Sequence, residues 1–133
     1  MRYLLDTNIV SDLVRQPRGP VAARIRAIGE ETVCTSIVVA AELRYGVIKK
    51  NAPKLKAQVE AVLDTLEVLP FEPPADVTYG EIRSRLERAG LTIGNNDLLI
   101  AAHALTLGHT LVTDNQREFD RIEALPCENW LRV

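Results

Sequence analysis

The chain has 133 residues, of which 47% are hydrophobic and 26% charged, with a formal net charge of −2. That length suits one domain, residues 1–133, with a sizeable core, and the balance excludes a disordered or fibrous chain. No apolar run approaches the ~20 residues of a membrane span, and no basic segment precedes a long apolar one as in a signal peptide. Cys34 and Cys127 stand far apart without a C-x-x-C partner, which predicts a cytoplasmic protein with reduced thiols. Charge decides less. Nucleic-acid binders are usually basic, but with four acids committed to one site the rest of this chain is net positive.

Tyr3-Leu4-Leu5 is a short apolar run closed by Asp6-Thr7-Asn8, the pattern of a strand buried on both faces. Ligands of open α/β sheets bind beyond the carboxyl ends of such strands, which is where Asp6 falls. Ser11–Arg15 predicts a turn of helix, closed by Gln16–Pro20, and Val21, Ile25 and Ile28 recur at helical spacing behind Pro20. Glu31–Thr35 predicts a second strand. Ser36 is a helix cap for Ile37–Lys50, a helix that reads as apolar nearly all round until Lys49 and Lys50, and therefore as buried. Glu42 then has no polar face to occupy, and a buried carboxylate must be paired, protonated or metal-bound.

Leu55, Val59, Val62, Leu63 and Leu66 mark an amphipathic helix, and Val68–Phe71 an edge or connecting strand because of Pro70. A helix begins at Pro74, with Tyr79, Ile82 and Leu86 inward, and ends at Gly90. The polar turn 91–96 leads into Asp97–Leu107, a helix of small and apolar residues that stops at Gly108. Thr110–Thr113 predicts a strand running into Asp114-Asn115, Arg117–Phe119 a short turn, and Cys127–Leu131 a last strand. Strands alternating with helices predict a parallel-sheet α/β domain.

Asp6, Glu42, Asp97 and Asp114 thus occupy special places, and together they suggest one acidic pocket at the carboxyl edge of the sheet. Each has a structural alternative: turn formation for Asp6 and Asp114, a helix cap for Asp97, an ion pair for Glu42. Clustered carboxylates repel one another and need a counter-charge, and oxygen donors select Mg²⁺ or Mn²⁺ rather than zinc. His103 and His109 lack ligand spacing and read as structural. Carboxylate-held metal can activate water for phosphodiester cleavage. No G-x-S-x-G, Cys–His pair or glycine-rich phosphate loop offers another chemistry. Arg15, Arg18, Arg24, Arg26, Lys49 and Lys50 are candidate phosphate contacts or simply solvated faces.

YLLDTNIVS at 3–11, TSIVVAAELRYGV at 35–47, IGNNDLLIAAHAL at 93–105, LVTDNQREFDRI at 111–122 and ENWL at 128–131 are the segments through which the chain resembles a PIN-domain ribonuclease. It is similar in particular to the toxin of a VapBC-type toxin–antitoxin pair. The resemblance implies a three-layer α/β/α fold with a central, mainly parallel sheet and a Mg²⁺- or Mn²⁺-dependent endoribonuclease. It makes Asp6 and Asp97 the principal metal ligands and Glu42 a third acid, direct or through water. It leaves the fourth position among Asp114, Asn115 and Glu118. It also implies a homodimer, a cognate antitoxin that wraps the toxin, and a structured RNA substrate such as initiator transfer RNA. Two other readings compete: an inert PIN-like binding module, and a haloacid-dehalogenase-type phosphatase. The latter would want a second Asp where Asn8 stands.

Overall fold

The computed structural model describes residues 2–132. Strands β1 (Tyr3–Leu5), β2 (Val33–Ser36), β3 (Glu67–Leu69), β4 (Thr110–Val112) and β5 (Cys127–Glu128) form one all-parallel sheet in the order β3-β2-β1-β4-β5. Helices α1 (Thr7–Arg15), α2 (Pro20–Ile28), α3 (Ile37–Lys50), α4 (Pro53–Thr65), α5 (Ala75–Ala89), α6 (Asn95–Leu107) and α7 (Gln116–Phe119) complete a three-layer α/β/α arrangement. Leu4 pairs with Cys34 on one side and Leu111 on the other, and all three are fully buried. Burial on both faces is why these strands read as continuous apolar runs.

β1 lies at the centre. The chain builds outward through β2 and β3, then returns to add β4 and β5 on the opposite side. The strand order therefore reverses at β1, and a crevice opens beyond its carboxyl end. Asp6 sits there, its amide donating to Val112 O at 2.9 Å.

Local chemistry explains where the elements depart from expectation. Helix α1 starts at Thr7, earlier than the predicted turn at Ser11, because Asp6 in extended conformation caps it, Oδ1 accepting from the Thr7 amide at 2.8 Å. Residues 30–32 form a 3₁₀ turn rather than the start of β2. Gly29, at φ +98°, redirects the chain, and its carbonyl accepts from both the amide and the hydroxyl of Thr32. Strand β5 ends at Glu128, short of the predicted Leu131, because Asn129 Oδ1 accepts from the Leu131 amide and curls the chain out of the ladder. Strand β3 is an edge strand as expected, and Pro70 lies just beyond it.

The largest correction concerns α3. Its inner face, Val39, Ala40, Leu43 and Val47, is buried, but Ile37, Tyr45 and Ile48 are 43%, 65% and 75% exposed. The helix is apolar all round because two faces are apolar, one of them uncovered, and Glu42 is half-buried at their border. Helices α5 and α6 stop where expected. Gly90 and Gly108 adopt φ +70°, and the next amides, of Leu91 and His109, reach back to Leu86 O and Ala104 O. Among the described residues no helix is long and apolar enough to cross a membrane.

Candidate active site

Four carboxylates from four elements meet beyond the carboxyl end of β1. Asp6 comes from the β1–α1 junction, Glu42 from the second turn of α3, Asp97 from the first turn of α6 and Glu118 from α7. Asp6, Glu42 and Glu118 are oriented by small polar neighbours. Asp6, 3% exposed, accepts from Thr7 N through Oδ1 and from Thr113 Oγ1 through Oδ2 at 2.7 Å. Glu42 Oε1 accepts from Thr7 Oγ1 at 2.5 Å and Oε2 from Asn96 Nδ2 at 3.2 Å. Glu118 Oε2 accepts from Asn115 Nδ2 at 2.8 Å, and the Asn115 amide donates in turn to Thr113 Oγ1 at 3.0 Å.

The electrostatics follow from this crowding. The Asp97 carboxyl is pushed up to about 7, first by burial, then by the charges of Asp6, Glu118 and Glu42, and by a hydrogen bond shared with Glu118. The Asp6 carboxyl is also raised, because burial outweighs the opposing hydrogen bonds from Thr113 and Thr7.

Among the described residues no arginine or lysine is ion-paired with the cluster. Among the described residues the six ion pairs join Arg2 to Glu67, Arg15 to Asp12, Arg24 to Glu128, Arg44 to Glu60, Arg83 to Glu87 and Arg132 to Asp114. None involves the four acids.

Asp114 stands apart from them. It is exposed, and its Oδ1 accepts from Asn129 Nδ2 at 2.9 Å and Arg132 Nε at 3.2 Å. Those two partners hold its carboxyl below the ordinary carboxylate value. The sequence thus placed Asp114 in the right loop but not in the pocket. Strand β4 turns outward after Thr113, and it is Glu118, one helical turn further on, that reaches Asp97. Asn115 contributes by holding Glu118. Asn8, where a phosphatase of the dehalogenase type would need a second aspartate, instead accepts the Asp114 amide through Oδ1 at 3.0 Å.

Sequence reading missed the orienting groups Thr7, Asn96 and Thr113. The signal was present as small polar residues beside Asp6 and Asp97, in DTN and GNND, and in the VTDN that follows β4. His103 points away from the acids, as expected, and is structural: its Nδ1 lies 2.8 Å from Ser36 Oγ.

The donor set fits a hard divalent cation: carboxylate oxygens only, with unbalanced negative charge. Among the described residues no three acids, histidines or cysteines already stand as a formed metal cage. The hydrogen bonds say why. Glu42 is turned onto Thr7 and Asn96, and Glu118 is bound to Asn115 and Asp97. Rotation of these side chains is what would open them to a cation.

The PIN domain matches the chain over residues 3–125. A ribonuclease VapC2 of Rickettsia felis is 41% identical, covering 98% of each chain. A tRNA(fMet)-specific endonuclease VapC of Shigella flexneri is 34% identical, again over 98% of each. The solved VapBC2 of Rickettsia felis, bound to a DNA fragment from its promoter, superposes with a TM-score of 0.91 at 40% identity, covering 98% of this chain and 99% of that one.

Proposed function

The chain belongs to the PIN-domain family, and from that premise we propose that it is the endoribonuclease toxin of a VapBC-type toxin–antitoxin pair, acting as a single domain in the cytoplasm. The observation that carries this reading is the convergence of Asp6, Glu42, Asp97 and Glu118 with no ion-paired cation among the described residues. An inert binding module would have no reason to keep like charges at such close quarters, where they push up the Asp97 carboxyl.

PIN-domain nucleases depend on a divalent metal, and here we assign Mg²⁺ or Mn²⁺ to Asp6, Asp97 and Glu42. The metal would activate a water and offset charge on the scissile phosphate. The chain's own residues prepare for that. Thr113 and the Thr7 amide fix both oxygens of Asp6, so this ligand is pre-set. Thr7 Oγ1 and Asn96 Nδ2 hold Glu42 at the rim. Glu118, held by Asn115 and bonded to Asp97, is the fourth acid. Water adds to phosphorus as the bond to the leaving oxygen breaks, so one strand becomes two fragments.

The name of the Shigella relative supports initiator transfer RNA as the first substrate to try. Beside Glu42, a groove of about 200 Å³ has an apolar floor of Leu43, Val47 and Val59 and a basic rim of Arg15 and Lys50. It suits an amphipathic, acidic segment of an antitoxin. The uncovered stripe Ile37, Tyr45 and Ile48 on α3 supports the homodimer, since contiguous apolar surface commonly marks an interface.

The test is cleavage of total transfer RNA by antitoxin-free protein in Mg²⁺, in Mn²⁺ and in EDTA, beside Asp97→Asn. Discrete fragments that need both metal and Asp97 establish the activity. RNA left whole with either metal sinks it, and fragments that persist in EDTA and in Asp97→Asn point to a contaminant.

A further inference from the structure

Two of the helices that carry the acids, α3 and α6, are tied together at two points. At one, Asn96 Nδ2 donates to Glu42 Oε2 at 3.2 Å; at the other, His103 Nδ1 lies 2.8 Å from Ser36 Oγ. Contact moves up α6 as it moves down α3, so the helices run antiparallel, with the acids at one end and the imidazole–hydroxyl contact at the other. At 1.5 Å per residue the two ties lie about 9 Å apart along α3 and about 10.5 Å apart along α6.

At the second tie Ser36 Oγ also caps α3, accepting from the Val38 amide at 3.0 Å, and its hydroxyl proton is available to His103 Nδ1. The ring also has a backbone hydrogen bond at Pro70, just beyond β3. In a neutral imidazole one nitrogen donates and the other accepts, so both contacts can be met at once. The ring is 2% exposed, with the edge of Phe71 against it at 5.4 Å, and burial holds its pKa below the ordinary histidine value. A sliding helix would leave a buried nitrogen and a buried hydroxyl without partners, which costs more than the bond itself contributes.

We propose that His103 is a positioning residue: its hydrogen bond with Ser36 sets the register of α6 on α3 and so holds Asp97 beside Glu42. It touches neither RNA nor metal. A wholly apolar residue there would fill the space but leave α6 free to shift, and a shift of about 1 Å at a reacting centre is enough to cost on the order of 100-fold in rate.

The activity part of the test rests on the ribonuclease reading; the metal-binding part does not. The full chain, free of antitoxin, is compared as parent, His103→Leu, Ser36→Ala and His103→Asn, the last keeping an acceptor near the Nδ1 position. Mn²⁺ affinity is read by electron paramagnetic resonance, and cleavage of total transfer RNA is followed for kcat and KM. His103→Leu and Ser36→Ala are expected to stay folded and bind Mn²⁺ on the order of 10-fold more weakly. Both should lose roughly 10- to 100-fold in kcat with KM little changed. Combining His103→Leu with Ser36→Ala is no worse than the poorer single variant, and His103→Asn recovers most of the loss.

Parental Mn²⁺ affinity and parental kcat in a folded His103→Leu or Ser36→Ala overturn the proposal. Should His103→Leu not fold, Ser36→Ala decides. A parent that binds Mn²⁺ but cuts no RNA removes the ribonuclease reading and leaves the affinities to decide this one. A parent that does neither overturns both.

Discussion

Two groups of carboxylates lie close together at the carboxyl edge of the sheet and are treated in opposite ways. Asp114 and Glu128, at the ends of β4 and β5, each face an arginine, Arg132 and Arg24 respectively. Asp6, Glu42, Asp97 and Glu118 face hydroxyls, amides and one another. In the first group, charge is balanced inside the chain and the acids hold the last turn of the chain in place. In the second it is left unbalanced, and the Asp97 carboxyl rises to about 7 in consequence. The difference marks which acids the fold uses for itself and which it leaves open to a ligand, and it does so more sharply than their positions in sequence.

The sharpest way to break this division is to remove a charge from the unbalanced group. Asp6→Asn or Asp97→Asn is expected to lower RNA cleavage by about 1,000-fold or more while leaving the circular dichroism spectrum and antitoxin binding intact. Cleavage at the parental rate by either would end the metal-site assignment. Next come the two acids that follow β4. Glu118→Gln is expected to lose on the order of 10- to 100-fold, and Asp114→Asn less than about 3-fold, in the same assay. A reversed order would return the fourth position to Asp114.

Stability should show the same contrast more weakly. Mg²⁺ or Mn²⁺ at 10 to 100 times its dissociation constant should stabilise the parent by about 1.4 to 2.7 kcal/mol, with no gain in EDTA and less in Asp97→Asn. A thermal scan that ignores metal would count against the site. Without metal, Asp97→Asn is expected to be more stable than the parent at pH 8, on the order of 1 kcal/mol once solvent screening is allowed for.

The sign follows from the raised value of Asp97. Above pH 7 the folded carboxyl is charged against its neighbours, which costs stability that the unfolded chain does not lose. As pH falls through 7 the folded state takes up the proton first, the parent gains, and the advantage of the Asn variant disappears by about pH 4. Smallest of all, Arg44→Ala breaks the exposed pair with Glu60. It should move the melting temperature by less than about 2 °C and cleavage not at all.

Much of this was legible in the chain. The buried run 3–5, the helix starts marked by Pro20 and Ser36, the stops at Gly90 and Gly108 and the alternation of strand and helix are local signals, each with a local cause. They suffice for a parallel α/β domain. The acids Asp6, Glu42 and Asp97 could be singled out because each breaks or borders an apolar pattern. For Glu42 the pattern misleads in part. An apolar circumference is not full burial, because Ile37, Tyr45 and Ile48 face outward. Periodicity counts apolar faces but does not say whether each has a neighbour.

By itself, then, the sequence determined the elements, their order and three of the four acids of the pocket, because hydrophobic period, capping and turn chemistry act within a few residues. Only the tertiary structure decided which acid lies beside Asp97, which carboxylates have arginines, and that His103 meets Ser36. Those outcomes depend on the path of the chain after β4, which sends Asp114 toward Arg132 and Glu118 toward Asp97. They depend equally on an antiparallel contact that joins residues 67 apart in the chain. Proximity of that kind is fixed by packing many elements at once, and no spacing within one segment encodes it.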